Sequence, residues 1–163
     1  MKRTLGIGIS AGILAGLLTE IGGAAGVITW VGFIAMLSYY ATSCGTEGLI
    51  KSTATNLSGV FWGWVIVFVG KAIPFKYGLG IAVVIIVIVM CMQSYFSFLN
   101  FIPGSFAGCS CLFGTNFDTK GVIIALILGN ILAYISFVIG LKLGNVLEGK
   151  NAETSNAEAK SAD

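Results

Sequence analysis

The sequence has no histidine, only two prolines and few charges. Without histidine the chain lacks the commonest general base near neutral pH and the commonest metal ligand. Charged residues make up 10% of its 163 residues, well below the roughly 25% that keeps a soluble domain wet. The net charge of +2 is too small and too dispersed to draw a nucleic-acid partner. The four cysteines, Cys44, Cys91, Cys109 and Cys111, lack zinc-ribbon or CxxC spacing and read as apolar interior fillers. Cys109 and Cys111 form a CxC that suits a soft metal such as Cu(I). No Met-rich or His-rich stretch accompanies it, so neither a metal nor a cofactor is expected.

What the chain has is apolar length. Hydrophobic residues reach 56% and the mean hydropathy is +0.96, with charge gathered at the ends, in Lys2 and Arg3 and from Lys142 onward. Apolar runs cover residues 5–21, 29–42, 49–69, 78–96, 99–115 and 121–141. A helical crossing takes about 20 apolar residues, with a range of about 17 to 25. The expectation is an all-α integral membrane protein of six transmembrane helices over residues 1–145, followed by a polar, disordered or loosely helical tail at 146–163. The basic MKRT before the first run also fits a signal peptide, but so many runs follow that an uncleaved first helix is the better reading. Lys2, Arg3, Lys51, Lys142 and the tail lysines outnumber Lys71, Lys76 and Lys120, which predicts both termini on the cytoplasmic side.

Gly8, Gly12 and Gly16 recur every fourth residue, and Gly59 with Gly63 repeats the spacing. Such glycine faces let helix backbones approach closely, so these residues and Gly129 are expected to pack helices, within the chain or in a homo-oligomer.

The second and fifth runs, TWVGFIAMLSYYAT and LNFIPGSFAGCSCLFGT, are short and interrupted. Pro103 removes a backbone donor and so frees a carbonyl upstream, which in hydrocarbon needs a partner or a wet cavity. A re-entrant loop at 99–115 is the alternative to a crossing there. A shift of 73 residues aligns Phe33 with Phe106, Thr42 with Thr115, Gly48 with Gly121 and Glu20 with Gln93. A shift of 70 aligns Gly59 with Gly129, Gly63 with Ala133 and Gly70 with Gly140. Halves with an odd number of crossings must be inverted, and in such proteins the solute site lies where their broken segments meet.

The candidate solute-lining groups are therefore Ser38, Tyr39, Thr42, Asn56, Gln93, Asn100, Pro103, Ser105, Ser110 and Thr115, with Glu20 read as either interfacial or solute-facing. They offer hydroxyl and amide hydrogen bonds without fixed charge. Ion-coupled carriers need several buried ionisable groups, so a channel or facilitator for a small uncharged solute is the expected function. The alternative is a non-transporting subunit that docks another protein through its glycine faces. With one membrane-level carboxylate and no serine beside a base, no constellation for catalysis is present.

The motifs FIPGSFAGCSCLFG, GFIAMLSYYATSCG and MCMQSYF make the chain similar to the YcdZ-like bacterial inner-membrane proteins, over about Leu5 to Gly140. The match lies at Ser38 and Tyr39 and at Phe101 to Phe106. The resemblance implies an integral inner-membrane protein and supplies neither substrate nor catalytic residues.

Overall fold

The computed structural model describes the backbone of residues 2–161 and the side chains of residues 2–148. The described chain is all helical. Helix α1 is Lys2–Leu17, continued by a π-helical turn at Leu18–Gly22, and α2 is the short Thr29–Tyr40. Helix α3 is Gly45–Ala72 and α4 is Gly78–Met92, followed by 3-10 turns at Gln93–Tyr95 and Ser97–Leu99. Helix α5 is Ile102–Gly114 and α6 is Thr119–Ser161.

Four segments are long and apolar enough to cross a bilayer, namely Lys2–Gly22, Gly45–Ala72, Gly78–Tyr95 and Thr119–Glu148. Helices α2 and α5, of 12 and 13 residues, reach only about 18 to 20 Å, short of the roughly 30 Å hydrocarbon core. Of the six transmembrane helices expected, four are thus long enough to span unaided and two are short. The reason is local. Cys44 at φ 55° and Gly45 at φ 62° turn the chain sharply after α2, and Asn116 and Phe117, at φ 51° and 67°, do so after α5. The last helix also continues past residue 141 through the tail as far as Ser161. The alanines, glutamates and lysines there are strong helix formers; Ala162 and Asp163 lie outside the described residues.

Close contacts fix how the helices run. Gly144 abuts Arg3, Gly140 abuts Ile7 and Ser10 donates a 2.6 Å hydrogen bond to the Ser136 carbonyl, so α1 is antiparallel to α6. Ile28 meets Gly121, Gly32 meets Gly129, and the Tyr40 and Ser136 hydroxyls bond each other, so α2 runs parallel to α6. Likewise Thr55 meets Gly104, Gly59 meets Ser105 and Gly63 meets Leu112, so α5 runs parallel to α3. Helix α4 returns antiparallel along α3, with Gly70 against Leu79. Finally α3 and α6 are antiparallel, since Trp64 Nε1 donates to Thr119 Oγ1 at 2.9 Å while Leu49 and Ile131 share one groove further along.

The core sits where α2, α3, α5 and α6 meet. Val31, Ala35, Val60, Leu112, Ala125 and Leu126 are all buried in one apolar cluster there. Outside it the surface is oily. Ile13, Phe68 and Val84 are 59%, 76% and 62% exposed, and such side chains at that density belong against lipid.

The glycines sort into two groups. A Cβ at Gly59 would strike the Ser105 carbonyl, one at Gly129 the Gly32 carbonyl, and one at Gly63 would lie 2.9 Å from Leu112 Cδ2. At these three positions neighbouring helices approach too closely for a side chain. A Cβ at Gly8, Gly12 or Gly16 would meet nothing within 4 Å among the described residues, so of the two alternatives, packing within the chain or in a homo-oligomer, the first is not made here. Two residues of helix are about 200° of rotation, so the face carrying Gly6 and Ser10 meets α6 and the glycine stripe looks away.

Candidate functional site

Helix α3 organises the polar residues, because Ser52, Thr55, Asn56, Ser58 and Trp62 all lie along its inner side and α5 is close enough to reach them. That closeness follows from glycine. A Cβ at Gly108 would collide with the Asn56 backbone, and one at Gly104 with the Thr55 side chain.

The first polar group is centred on Gln93, 7% exposed at the end of α4. Its Oε1 accepts from Trp62 Nε1 at 2.8 Å and from Ser58 Oγ at 3.1 Å, and its Nε2 donates to Ser105 Oγ at 2.6 Å. The Ser58 and Ser105 hydroxyls lie 3.1 Å apart. The structure thus joins two sequence candidates, Gln93 and Ser105, directly and adds Ser58 and Trp62, which were not among them. The available signal was the spacing of Thr55, Ser58 and Trp62, three and then four residues apart, which puts them on one helical stripe.

Further polar side chains are buried on α2, on α6 and toward the start of α3. Tyr39, Asn56 and Asn130 are fully buried. Asn130 Nδ2 donates to the Leu126 carbonyl at 2.9 Å. Three of their atoms, Asn56 Nδ2 and Oδ1 and Asn130 Oδ1, have no hydrogen-bond partner among the described residues, while Tyr39 Oη lies toward the Gly45 backbone amide. Ser38 is 4% exposed beside Tyr39, and Ser52 and Thr55 are fully buried below Asn56. Thr55 Oγ1 donates back to the Lys51 carbonyl at 2.7 Å. Asn130 is the one strongly polar side chain of the apolar run at 121–141.

Below these residues a cavity of about 210 Å³ opens between Thr42, Ser43, Lys51, Asn100 and Phe101. It brings together the candidates Thr42 and Asn100. Lys51 at its edge pairs with Glu47 at 2.8 Å, and Thr42 Oγ1 donates to the Tyr39 carbonyl at 2.6 Å. Burial pushes the neighbouring Cys44 thiol above its ordinary pKa.

Other candidates fall elsewhere. Ser110 and Glu20 are exposed and line none of these groups. Thr115 bonds back to the Cys111 carbonyl at 2.9 Å, closing its own helix. Pro103 stands in the first turn of α5, where no intrahelical donor is required. The expected freed carbonyl does not arise, because Pro103 starts a helix instead of breaking one. Cys111 is buried in the apolar cluster, whereas Cys109 Sγ lies beside Gly63.

An all-helical chain with four bilayer-length segments, an oily exterior and a polar interior defines a multi-helix membrane protein. The chain belongs to the family described as "Protein of unknown function (DUF1097)", whose model matches residues 8–141. It is 34% identical to the inner membrane protein YcdZ of Escherichia coli K12, over 97% of this chain and 96% of that protein. The YcdZ of Salmonella typhimurium LT2 is 32% identical over 95% and 98% of the two chains. The uncharacterized protein YahC of E. coli K12 is 30% identical over 88% of this chain and 94% of its own. The likeness to YcdZ-like proteins read from the motifs therefore holds along nearly the whole chain. No solved structure matches it.

Proposed function

We propose that this chain is a channel or facilitator of the bacterial inner membrane, passing a small uncharged solute between two inverted halves. The observation that carries the reading is a set of contacts that recur in pairs. Gly59 meets Ser105 and Gly129 meets Gly32; the α3 and α6 members are related by the 70-residue shift, the α2 and α5 members by the 73-residue shift. Gly140 against Ile7 is answered by Gly70 against Leu79. Thr42 bonds the Tyr39 carbonyl as Thr115 bonds that of Leu112. Cys44 and Phe117, also related by the 73-residue shift, both take positive φ. Since α3 and α6 run antiparallel, exchanging the halves turns the molecule upside down, the arrangement in which solute sites form near the midplane.

In this reading α2 and α5, with the irregular stretches that precede them, complete the second and fifth crossings, giving six. Lys2 bonds the Leu147 carbonyl at 3.2 Å, which keeps the start of α1 beside the far part of α6. With Lys51 at the same end, the excess of basic residues sets that end in the cytoplasm. The relatives named inner membrane proteins supply the compartment. The polar interior is neutral among the described residues, which favours passage of an uncharged solute over ion-coupled pumping.

The test is osmotic swelling of proteoliposomes under gradients of water, glycerol, urea and formamide. Protein-dependent entry of at least one solute is expected. A folded protein that admits none of them overturns the reading.

One observation favours the second reading, a subunit that docks through its glycines: Gly8, Gly12 and Gly16 are open along α1. A Gly12→Cys variant that forms disulfide-linked dimers in membranes would place a second copy on that face.

A further inference from the structure

The two halves match in backbone but not in chemistry at the centre. Applying the same shifts of 70 and 73 residues to the apolar cluster carries Val60 onto Asn130, Leu126 onto Asn56, Leu112 onto Tyr39, Ala125 onto Thr55, Val122 onto Ser52 and Cys111 onto Ser38. Every member of the second set is buried. Val31 and Ala35 likewise correspond to Gly104 and Gly108, which lie against Thr55 and Asn56. Six of the eight members of the apolar cluster thus have polar counterparts, of which Tyr39 packs with Leu18, Met36 and Ala133 in a second apolar cluster.

Their places follow from the helix directions. Val122, Ala125 and Leu126 occupy the first turns of α6, the end shared with Trp64 and Lys120. Ser52, Thr55 and Asn56 occupy the corresponding part of α3, toward Lys51. The polar cavity of Thr42, Ser43, Lys51 and Asn100 opens at that same end. Along the helix axes from the Lys51 end, the polar cavity thus comes first, then Ser52, Thr55 and Asn56, then the apolar cluster.

We infer that the polar half is a binding site for small neutral molecules carrying both hydrogen-bond donors and acceptors, entered from the Lys51 end, and that the apolar half is the gate that closes it. This rests on the two-half reading above and names the site and its selectivity. The three unpartnered atoms of Asn56 and Asn130 comprise a carboxamide donor and two carboxamide acceptors. A buried amide left without a partner keeps its full desolvation penalty, so these groups are held for a guest that completes them. The set has no charge and suits water and molecules of amide or small-alcohol type. Val60, Leu112, Val122 and Leu126 offer such a guest nothing, and a narrow apolar constriction excludes it by dewetting.

The first experiment uses the unaltered protein in nanodiscs and measures magnetisation transfer from water to assigned side chains by NMR. Cross-peaks to the Asn56 and Asn130 carboxamides, and none to the methyls of Val60, Val122 and Leu126, are expected. Dry asparagines, or methyls as wet as the asparagines, overturn the inference. The second uses proteoliposomes carrying Val60→Asn or Leu126→Asn, which copy the polar half's residues into the apolar half. Permeability to urea and formamide is expected to rise about tenfold as the gate wets. Unaltered permeability of the folded variants overturns the gate. Wet asparagines in a protein that passes no solute, gated or not, refute the transport reading and leave the binding site standing.

Discussion

Replacing Gln93 by leucine tests whether the polar contacts at the end of α4 hold the helices together. The substitution removes three interhelical hydrogen bonds, from Trp62 and Ser58 to Oε1 and from Nε2 to Ser105. Side-chain hydrogen bonds inside membrane proteins average about 0.6 kcal/mol and reach about 1.7, so the three together contribute about 2 to 3 kcal/mol. Ser58 and Ser105 lie 3.1 Å apart and retain each other. Trp62 Nε1 has no such substitute, and a buried donor left unmade adds about 1 kcal/mol or more. The expected loss is about 3 kcal/mol, reduced somewhat by the apolar leucine. Reversible unfolding of the detergent-solubilised protein by SDS, followed by circular dichroism, reads that loss as an earlier midpoint. A double-mutant cycle with Trp62→Phe isolates the indole contact and should return a coupling of about 1 kcal/mol. A Gln93→Leu protein within about 0.5 kcal/mol of the native one would refute the hydrogen-bond reasoning.

Gly59→Val and Gly129→Val place side chains into the Ser105 and Gly32 carbonyls. Each should cost about 1 to 3 kcal/mol or more by forcing helices apart, while Gly8→Val, at an open position, should leave the monomer's unfolding midpoint within about 0.5 kcal/mol. Pro103→Ala removes a residue that only begins α5, so its effect on the same midpoint should also stay under about 0.5 kcal/mol. Because burial raises the Cys44 pKa, its thiolate fraction at neutral pH is below that of a free cysteine. Maleimide labelling of Cys44 should therefore be slow at pH 7 and keep accelerating at pH values where free cysteine has levelled off.

Much of this architecture is legible in the residues, and the failures have physical causes. The limits of α2 can be read from Thr42, Ser43, Cys44 and Gly45, because small polar residues and glycine end an apolar helix. The all-helical membrane character follows from hydropathy alone. What composition cannot convey is rotation. Gly8, Gly12 and Gly16 carry the spacing of a packing face, but Gly6 and Ser10 make the contact because Gly140 and Gly144 stand opposite them. A partner more than a hundred residues away decides which of two plausible faces is buried. Pro103 fails for a related reason: the same residue kinks a helix interior or opens a first turn, and only its position relative to Phe101 distinguishes the two. Gln93 and Ser105 were visible as polar residues in apolar surroundings. Their meeting with Ser58 and Trp62 depends on α4 ending level with the middle of α3, a matter of helix length and tilt.

The packing also dictates an order of assembly. Both early helices, α1 and α2, rest chiefly on α6, while α4 and α5 rest on α3, so each half finds its support in the other. During synthesis the second half can settle onto α3 as it emerges, but α1 and α2 must wait for the last helix. At about 5 to 20 residues per second, the hundred-odd residues in between take seconds to tens of seconds. For that interval Ser10, Tyr40 and the carbonyl-lined glycine faces stand without their final neighbours, within reach of lipid, of the insertion machinery or of other nascent chains. A stop codon placed just before α6 would therefore remove more than one helix, leaving the first two without a scaffold.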